Sequence, residues 1–132
     1  MAGVYLDTSA VGRLLLAEPD AAVIRTTLAG FQTHWSSELM VVELRRLAAR
    51  EDIERVAEAF LASIDLLTVD SAALERASRV PPIEVRSLDA IHLDAAVTLR
   101  DRGEIEAVMT YDRQLQSGCE HHGLRVEAPT AT

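Results

Sequence analysis

Gly3-Val4-Tyr5-Leu6-Asp7-Thr8-Ser9-Ala10, residues 3–10, sets a short apolar run directly against an aspartate and two hydroxyl side chains. Gly3–Leu6 reads as a strand, and a helix follows from about Thr8 to Ala17, where Glu18-Pro19 punctuates the chain. The same unit recurs late: Ala107–Thr110 reads as a strand, Tyr111-Asp112 follows, and a short helix runs to Ser117 with Gly118 after it. Between them, helices are expected over Asp20–Leu28, from Ser36 or Ser37 as N-cap to Arg50, over Asp52–Ala62, from an Asp70 or Ser71 cap to Arg79, and from Ser87 to about Arg102, closed by Gly103. Strands are expected at Gln32–Trp35, Ile64–Val69 and Leu124–Val126. Strands separated by helices predict an α/β domain with a parallel sheet covered on both faces. Ligands of such sheets collect beyond the carboxyl ends of the strands, where Asp7 and Asp112 fall.

The 132 residues suffice for one domain, residues 1–132, with a tail from about 128 expected to be disordered. No apolar run approaches the roughly 20 residues of a membrane span. The N-terminus has neither a basic region nor a cleavage site, which predicts a cytoplasmic protein with no membrane partner. One cysteine, Cys119, excludes an internal disulfide and a cysteine-rich zinc cage. The net charge is −8, and all 13 basic residues are arginines. This balance opposes sequence-blind binding of nucleic acid, unless metal and a few arginines offset the repulsion.

Each carboxylate has an ordinary alternative. Asp7, Asp70 and Asp112 all follow strands and read equally as N-caps or as site residues. Glu43 lies within the stripe of Leu39, Met40, Leu44, Leu47 and Ala48, so it should be buried and need a cation, with Arg46 as the local choice. The segment Leu88–Leu99 is apolar nearly all round, the pattern of a buried helix, yet it carries Asp89, His92 and Asp94. Asp89 would suit the positive end of the helix dipole. Asp89 and Asp94 point about 140° apart and cannot serve one site, so Asp94 should meet an arginine or solvent. His92 reads as a hydrogen-bonded core histidine in preference to the alternative of a metal ligand, His121-His122 as a solvated turn, and Trp35 as core.

Several buried or cleft-edge carboxylates without lysine favour a hard divalent cation held by oxygen. A phosphate-binding P-loop is excluded, since it requires a glycine-rich run and a lysine. A phospho-receiver domain and an aspartate-nucleophile phosphatase would also call for lysine, and Asp7-Thr8-Ser9 lacks the Asp-x-Asp of the latter. No Gly-x-Ser-x-Gly elbow supports serine hydrolase chemistry.

Four segments in order, Val4-Tyr5-Leu6-Asp7-Thr8-Ser9-Ala10, Val41-Val42-Glu43-Leu44-Arg45-Arg46, Leu88-Asp89-Ala90-Ile91-His92-Leu93 and Thr110-Tyr111-Asp112-Arg113-Gln114-Leu115, resemble those of the PIN-domain ribonucleases, above all the VapC toxins of toxin–antitoxin pairs. The resemblance spans essentially the whole chain, through Gly123-Leu124-Arg125-Val126. It implies a sheet of order 3-2-1-4-5 with its cleft at the ends of strands one and four. Asp7, Glu43 and Asp89 would take the three acidic positions and Asp112 the fourth, as catalytic metal ligands; Thr8, Ser9 and Thr110 would support them by hydrogen bonds. Asp70 would be a cap away from the cleft.

The implied activity is endoribonuclease cleavage by water activated on one or two Mg²⁺ or Mn²⁺ ions. The implied partners are RNA, a cognate antitoxin and a second copy of the chain. Arg13, Arg45, Arg46, Arg86 and Arg113 are the rim arginines that could grip RNA. The competing readings are a non-catalytic α/β interaction module, and a metal-dependent phosphatase or DNA nuclease on the same fold.

Overall fold

The computed structural model describes residues 2–132. Its elements alternate as expected: β1 (Gly3–Leu6), α1 (Thr8–Leu15), α2 (Ala21–Ala29), β2 (Thr33–Ser37), α3 (Leu39–Glu51), α4 (Glu54–Ala62), β3 (Asp65–Leu67), α5 (Ser71–Ala77), α6 (Ser87–Asp101), β4 (Ile105–Met109), α7 (Arg113–His121) and β5 (Arg125–Glu127). All strand pairs are parallel, in the order β3-β2-β1-β4-β5.

Strand alternation splits the core into two layers. Val4 and Leu6 pack with Val11, Ile24, Met40, Leu44 and Ala57, which come from α1 to α4. Tyr5 points the other way, to Leu93, Ala96 and Leu99 of α6 and Leu115 and Cys119 of α7. The pairing of Leu6 with Met109, extended by the hydrogen bond from Asp7 N–H to the Met109 carbonyl (3.1 Å), places Asp7 beside Thr110 at the carboxyl edge.

Three local expectations are corrected by long-range packing. Ser36 and Ser37 do not cap α3 but complete β2, opposite Leu66 and Leu67; the Ser36 hydroxyl donates to the Leu6 carbonyl at 2.7 Å. Gly118 does not end α7 but lies inside it, at a point where a side chain would meet Leu93 Cδ2 at 2.7 Å. Leu88, expected on a buried helix, is 53% exposed in the first turn of α6, whose buried stretch begins at Ala90. In the tail, the Tyr111 hydroxyl donates to the Pro129 carbonyl, and Ala131 N–H donates to Asp20 at 2.8 Å.

At the opposite edge of the sheet, Gly3 has no room for a side chain. A Cβ would overlap the Thr33 hydroxyl and the Glu104 carbonyl, and the latter is backbone that accepts the Gly3 N–H. Gly3→Ala is expected to destabilise the fold by about 1–3 kcal/mol, the usual cost of forcing extra atoms into a packed site. Chemical denaturation would measure it, and an unchanged midpoint would contradict it.

Candidate metal centre

Asp7, Glu43 and His92 meet where β1 and β4 end, and Asp89 lies close enough to Asp7 and Asp112 to feel their charges. Asp7 leaves β1 in extended conformation (φ −88°, ψ 153°), the backbone of an N-cap, but makes no capping hydrogen bond. Its Oδ2 instead accepts from Ser9 Oγ at 2.7 Å and Thr110 Oγ1 at 2.8 Å. Asp7 is 5% exposed and Thr110 is fully buried. Ser9 also accepts Tyr111 N–H at 3.0 Å, so the hydroxyls are fixed to the end of β4.

Glu43 enters from α3. Its side chain is 25% exposed, less buried than the apolar stripe suggested, because it lies where the helix face opens into the cleft. Arg46 does not pair with it. Oε1 accepts from Thr8 Oγ1 at 2.8 Å and lies 2.7 Å from His92 Nε2 of α6. Burial favours the neutral acid, but the hydrogen bond and charge of His92, with the Thr8 hydroxyl, outweigh it and hold Glu43 below the usual carboxylate range. His92 is the hydrogen-bonded core histidine expected. Burial works against its charged form, yet the Tyr5 oxygen, Glu43 and Asp7 together raise its pKa well above that of a free imidazole.

Asp112 does the work of an N-cap. Oδ1 caps α7 by accepting Gln114 and Leu115 N–H at 2.9 and 3.1 Å, while Oδ2 takes no part in the cap. Asp89, in the first turn of α6, faces Asp112 and Asp7. Burial first, then the charges of Asp112 and Asp7, push its pKa up to about 6 against the smaller opposing pull of His92.

The remaining acids fall elsewhere. Asp70 caps α5 by accepting Ala73 N–H at 2.9 Å, and Asp94 pairs with Arg76 at 3.3 Å. His122 is bound rather than merely solvated, its Nε2 lying 2.6 Å from the Pro81 carbonyl.

Among the described residues, no arginine forms an ion pair with Asp7, Glu43, Asp89 or Asp112. Negative charge is therefore concentrated without a fixed cationic partner except His92, which favours an added cation. Among the described residues, Asp7 and Glu43 each have one oxygen engaged by protein donors and another that accepts no hydrogen bond, while Asp112 caps α7 through Oδ1 and shares a side-chain hydrogen bond with Asp89. That donor set fits a hard divalent ion, which takes oxygen ligands, carboxylates foremost among side chains. Ligand atoms of Asp7, Glu43 and His92 lie within 4.8 Å of one another.

Beside Glu43 opens a cleft of about 560 Å³ lined by Thr8, Gly12, Arg13, Arg46, Leu47 and Arg50, among others. Of the rim arginines inferred from sequence, Arg46 lines this cleft. Arg13 also lines it but is bound to Asp20 at 2.7 Å and stacked 3.9 Å from the Tyr111 ring centroid. Arg45 does not line the cleft and instead forms a two-pronged pair with Glu58. Arg113 borders a separate hollow with Pro82 and Glu84, and Arg86 stands at the start of α6. Arg50 was not singled out, although its spacing from Glu43 and Arg46, seven and four residues, puts all three on one helix face.

This fold, with acids gathered at the ends of β1 and β4, defines a class. The chain belongs to the PIN domain family, whose pattern matches residues 4–119. Its relatives include Ribonuclease VapC47 of Mycobacterium tuberculosis (strain CDC 1551 / Oshkosh), 37% identical over 97% of this chain and 98% of that protein. Ribonuclease VapC46 of strain ATCC 25618 / H37Rv is 36% identical, covering 98% of this chain and all of its own length. Ribonuclease VapC35 is 32% identical over 96% of both.

Proposed function

We propose that this chain is a Mg²⁺- or Mn²⁺-dependent endoribonuclease and the toxin component of a toxin–antitoxin pair. The observation that carries the reading is that ligand atoms of Asp7 and Glu43 lie within 4.8 Å of each other, with Asp89 near enough to Asp7 and Asp112 for their charges to raise its pKa. Asp7, Glu43, Asp89 and Asp112 would hold the ion. When bound, the ion would acidify water and stabilise charge on the phosphodiester. Ser9 and Thr110 keep Asp7 aimed, and Thr8 does the same for Glu43. The relatives named as ribonucleases support RNA as the substrate.

RNA would approach along the cleft beside Glu43, where Arg46 and Arg50 are exposed and, among the described residues, form no ion pair. Arg46→Gln combined with Arg50→Gln is expected to raise KM for RNA while kcat changes little. It should also flatten the salt dependence of RNA affinity by roughly 0.7 per arginine, the single-strand counterion increment. An unchanged slope would place the RNA elsewhere. The net charge of −8 suits an antitoxin with a basic segment that covers the carboxylates. A homodimer is part of the same reading.

The deciding assay compares RNA and DNA of the same sequence in Mg²⁺, in Mn²⁺ and in EDTA. RNA should be cut with either ion, spared in EDTA, and preferred over DNA. Cleavage that persists in EDTA would overturn metal dependence, and preferential cutting of DNA would overturn the substrate class.

A further inference from the structure

Tyr5 and His92 have no assigned role, although both are buried directly beneath the carboxylates. Strand alternation sends Tyr5 to the α6 face, and His92 lies one turn beyond Asp89 on that helix. The Tyr5 hydroxyl lies 2.6 Å from His92 Nδ1, and the rings meet edge to face with centroids 5.7 Å apart. On the other side, Nε2 lies 2.7 Å from Glu43 Oε1 and 3.5 Å from Asp7 Oδ1.

A ring nitrogen 2.7 Å from a carboxylate oxygen carries the proton between them, since two lone pairs at that distance would repel. Nε2 is therefore a donor whether the ring is neutral or charged, and it has no lone pair to give an ion. This separates His92 from the ligands despite its proximity to them. The Tyr5 hydroxyl can donate to Nδ1 of the neutral ring or accept from the charged one, so it holds the ring in either state.

We infer that Tyr5 and His92 form a buried positioning dyad that aims Glu43 at the divalent ion. Tyr5 sets the ring plane, and His92 with Thr8 holds Oε1, leaving Oε2 as the ligand oxygen. With Thr8 alone, the long glutamate side chain could pivot about a single hydrogen bond and sweep Oε2 out of register. The inference rests on the divalent-ion reading. Partners of this kind, which touch the ligand rather than the metal, typically change metal affinity by about 10–100-fold when removed.

The test is calorimetric titration of Mn²⁺ into the parent protein, His92→Leu, His92→Gln and Tyr5→Phe, with melting temperatures recorded alongside. His92→Leu is expected to weaken Mn²⁺ binding by about 10–100-fold. His92→Gln, which keeps an N–H donor of similar reach, should recover most of the loss. Tyr5→Phe should shift affinity in the same direction by less; it keeps the ring and decides the matter alone if the His92 variants do not fold. In Mg²⁺-loaded parent protein, long-range ¹H–¹⁵N spectra should keep the proton on Nε2. Parent-like affinity in Tyr5→Phe and His92→Leu would overturn the dyad and leave the ion reading intact, as would a glutamine variant no better than leucine. Loss of the Nε2 proton on loading would make His92 a ligand and also overturn it. A parent that takes up no Mn²⁺ would remove the ion reading, and the dyad with it.

Discussion

Asp7→Asn is expected to fold normally and to lose more than about 100-fold in Mg²⁺-dependent RNA cleavage, beyond what removing an outer hydrogen-bond partner usually costs. Asparagine preserves the size of the side chain, and its oxygen can still accept from Ser9 and Thr110 in place of Oδ2. The local structure therefore loses little. What disappears is the negative charge at the most buried acid of the cluster, at the point where β1, α3, β4 and α6 meet. Circular dichroism and thermal melting would show the retained fold, and single-turnover cleavage would show the loss. Parent-like cleavage by a folded Asp7→Asn protein would remove Asp7 from the chemistry.

Asp89→Asn has the second large effect, and its sign is opposite for stability and for activity. The Asp89 pKa is pushed from 3.8 up to about 6 in the native protein. A carboxyl whose native pKa is raised contributes its stability below the unfolded value and loses it as pH rises toward the native value. The metal-free protein should thus lose stability between pH 3.8 and about 6 and remain penalised at neutral pH. Asparagine abolishes that penalty. Because the group is only partly buried, the gain at pH 7.5 is discounted to about 1 kcal/mol. It should vanish near pH 3, below 3.8, where Asp89 is neutral in the folded and the unfolded chain alike. The same variant should bind Mn²⁺ poorly and cleave RNA slowly. Denaturation in EDTA at the two pH values checks the first half, and equal stability of parent and variant at pH 7.5 would contradict it. In the parent, Mn²⁺ affinity should fall as pH drops through about 6, with a proton released on binding above that of the buffer alone.

Local pattern carried much of the fold. β1 was legible to the residue, since Gly3–Leu6 is bounded by a glycine and a charge. The resemblance to PIN domains supplied the strand order that local pattern alone left open. The errors arose where a partner distant in sequence decided. Ser36 and Ser37 are good caps in isolation, but hydrogen bonding to Leu6, thirty residues away, keeps Ser36 in the sheet. Gly118 resembles a helix stop until Leu93 is seen packed against it.

The site was legible in the same uneven way. Asp7 and Asp112 occupy the same kind of position after a strand. Only Asp112 caps its helix, because Ser9 and Thr110 claim Asp7. The sequence pattern asks for a cation at Glu43 and points to Arg46, because wheel geometry offers only neighbours on the same helix. The actual partner, His92, lies 49 residues on. Arg50 required no distant information, only the helical face it shares with Glu43 and Arg46.

The most direct test is anomalous diffraction at the manganese edge from crystals of the wild-type protein grown or soaked in Mn²⁺. A peak coordinated by Asp7 together with Glu43 or Asp89, at the carboxyl ends of β1 and β4, is the predicted result. No peak at saturating Mn²⁺, or one confined to acids away from that edge, such as Asp70 or Asp94, would contradict it.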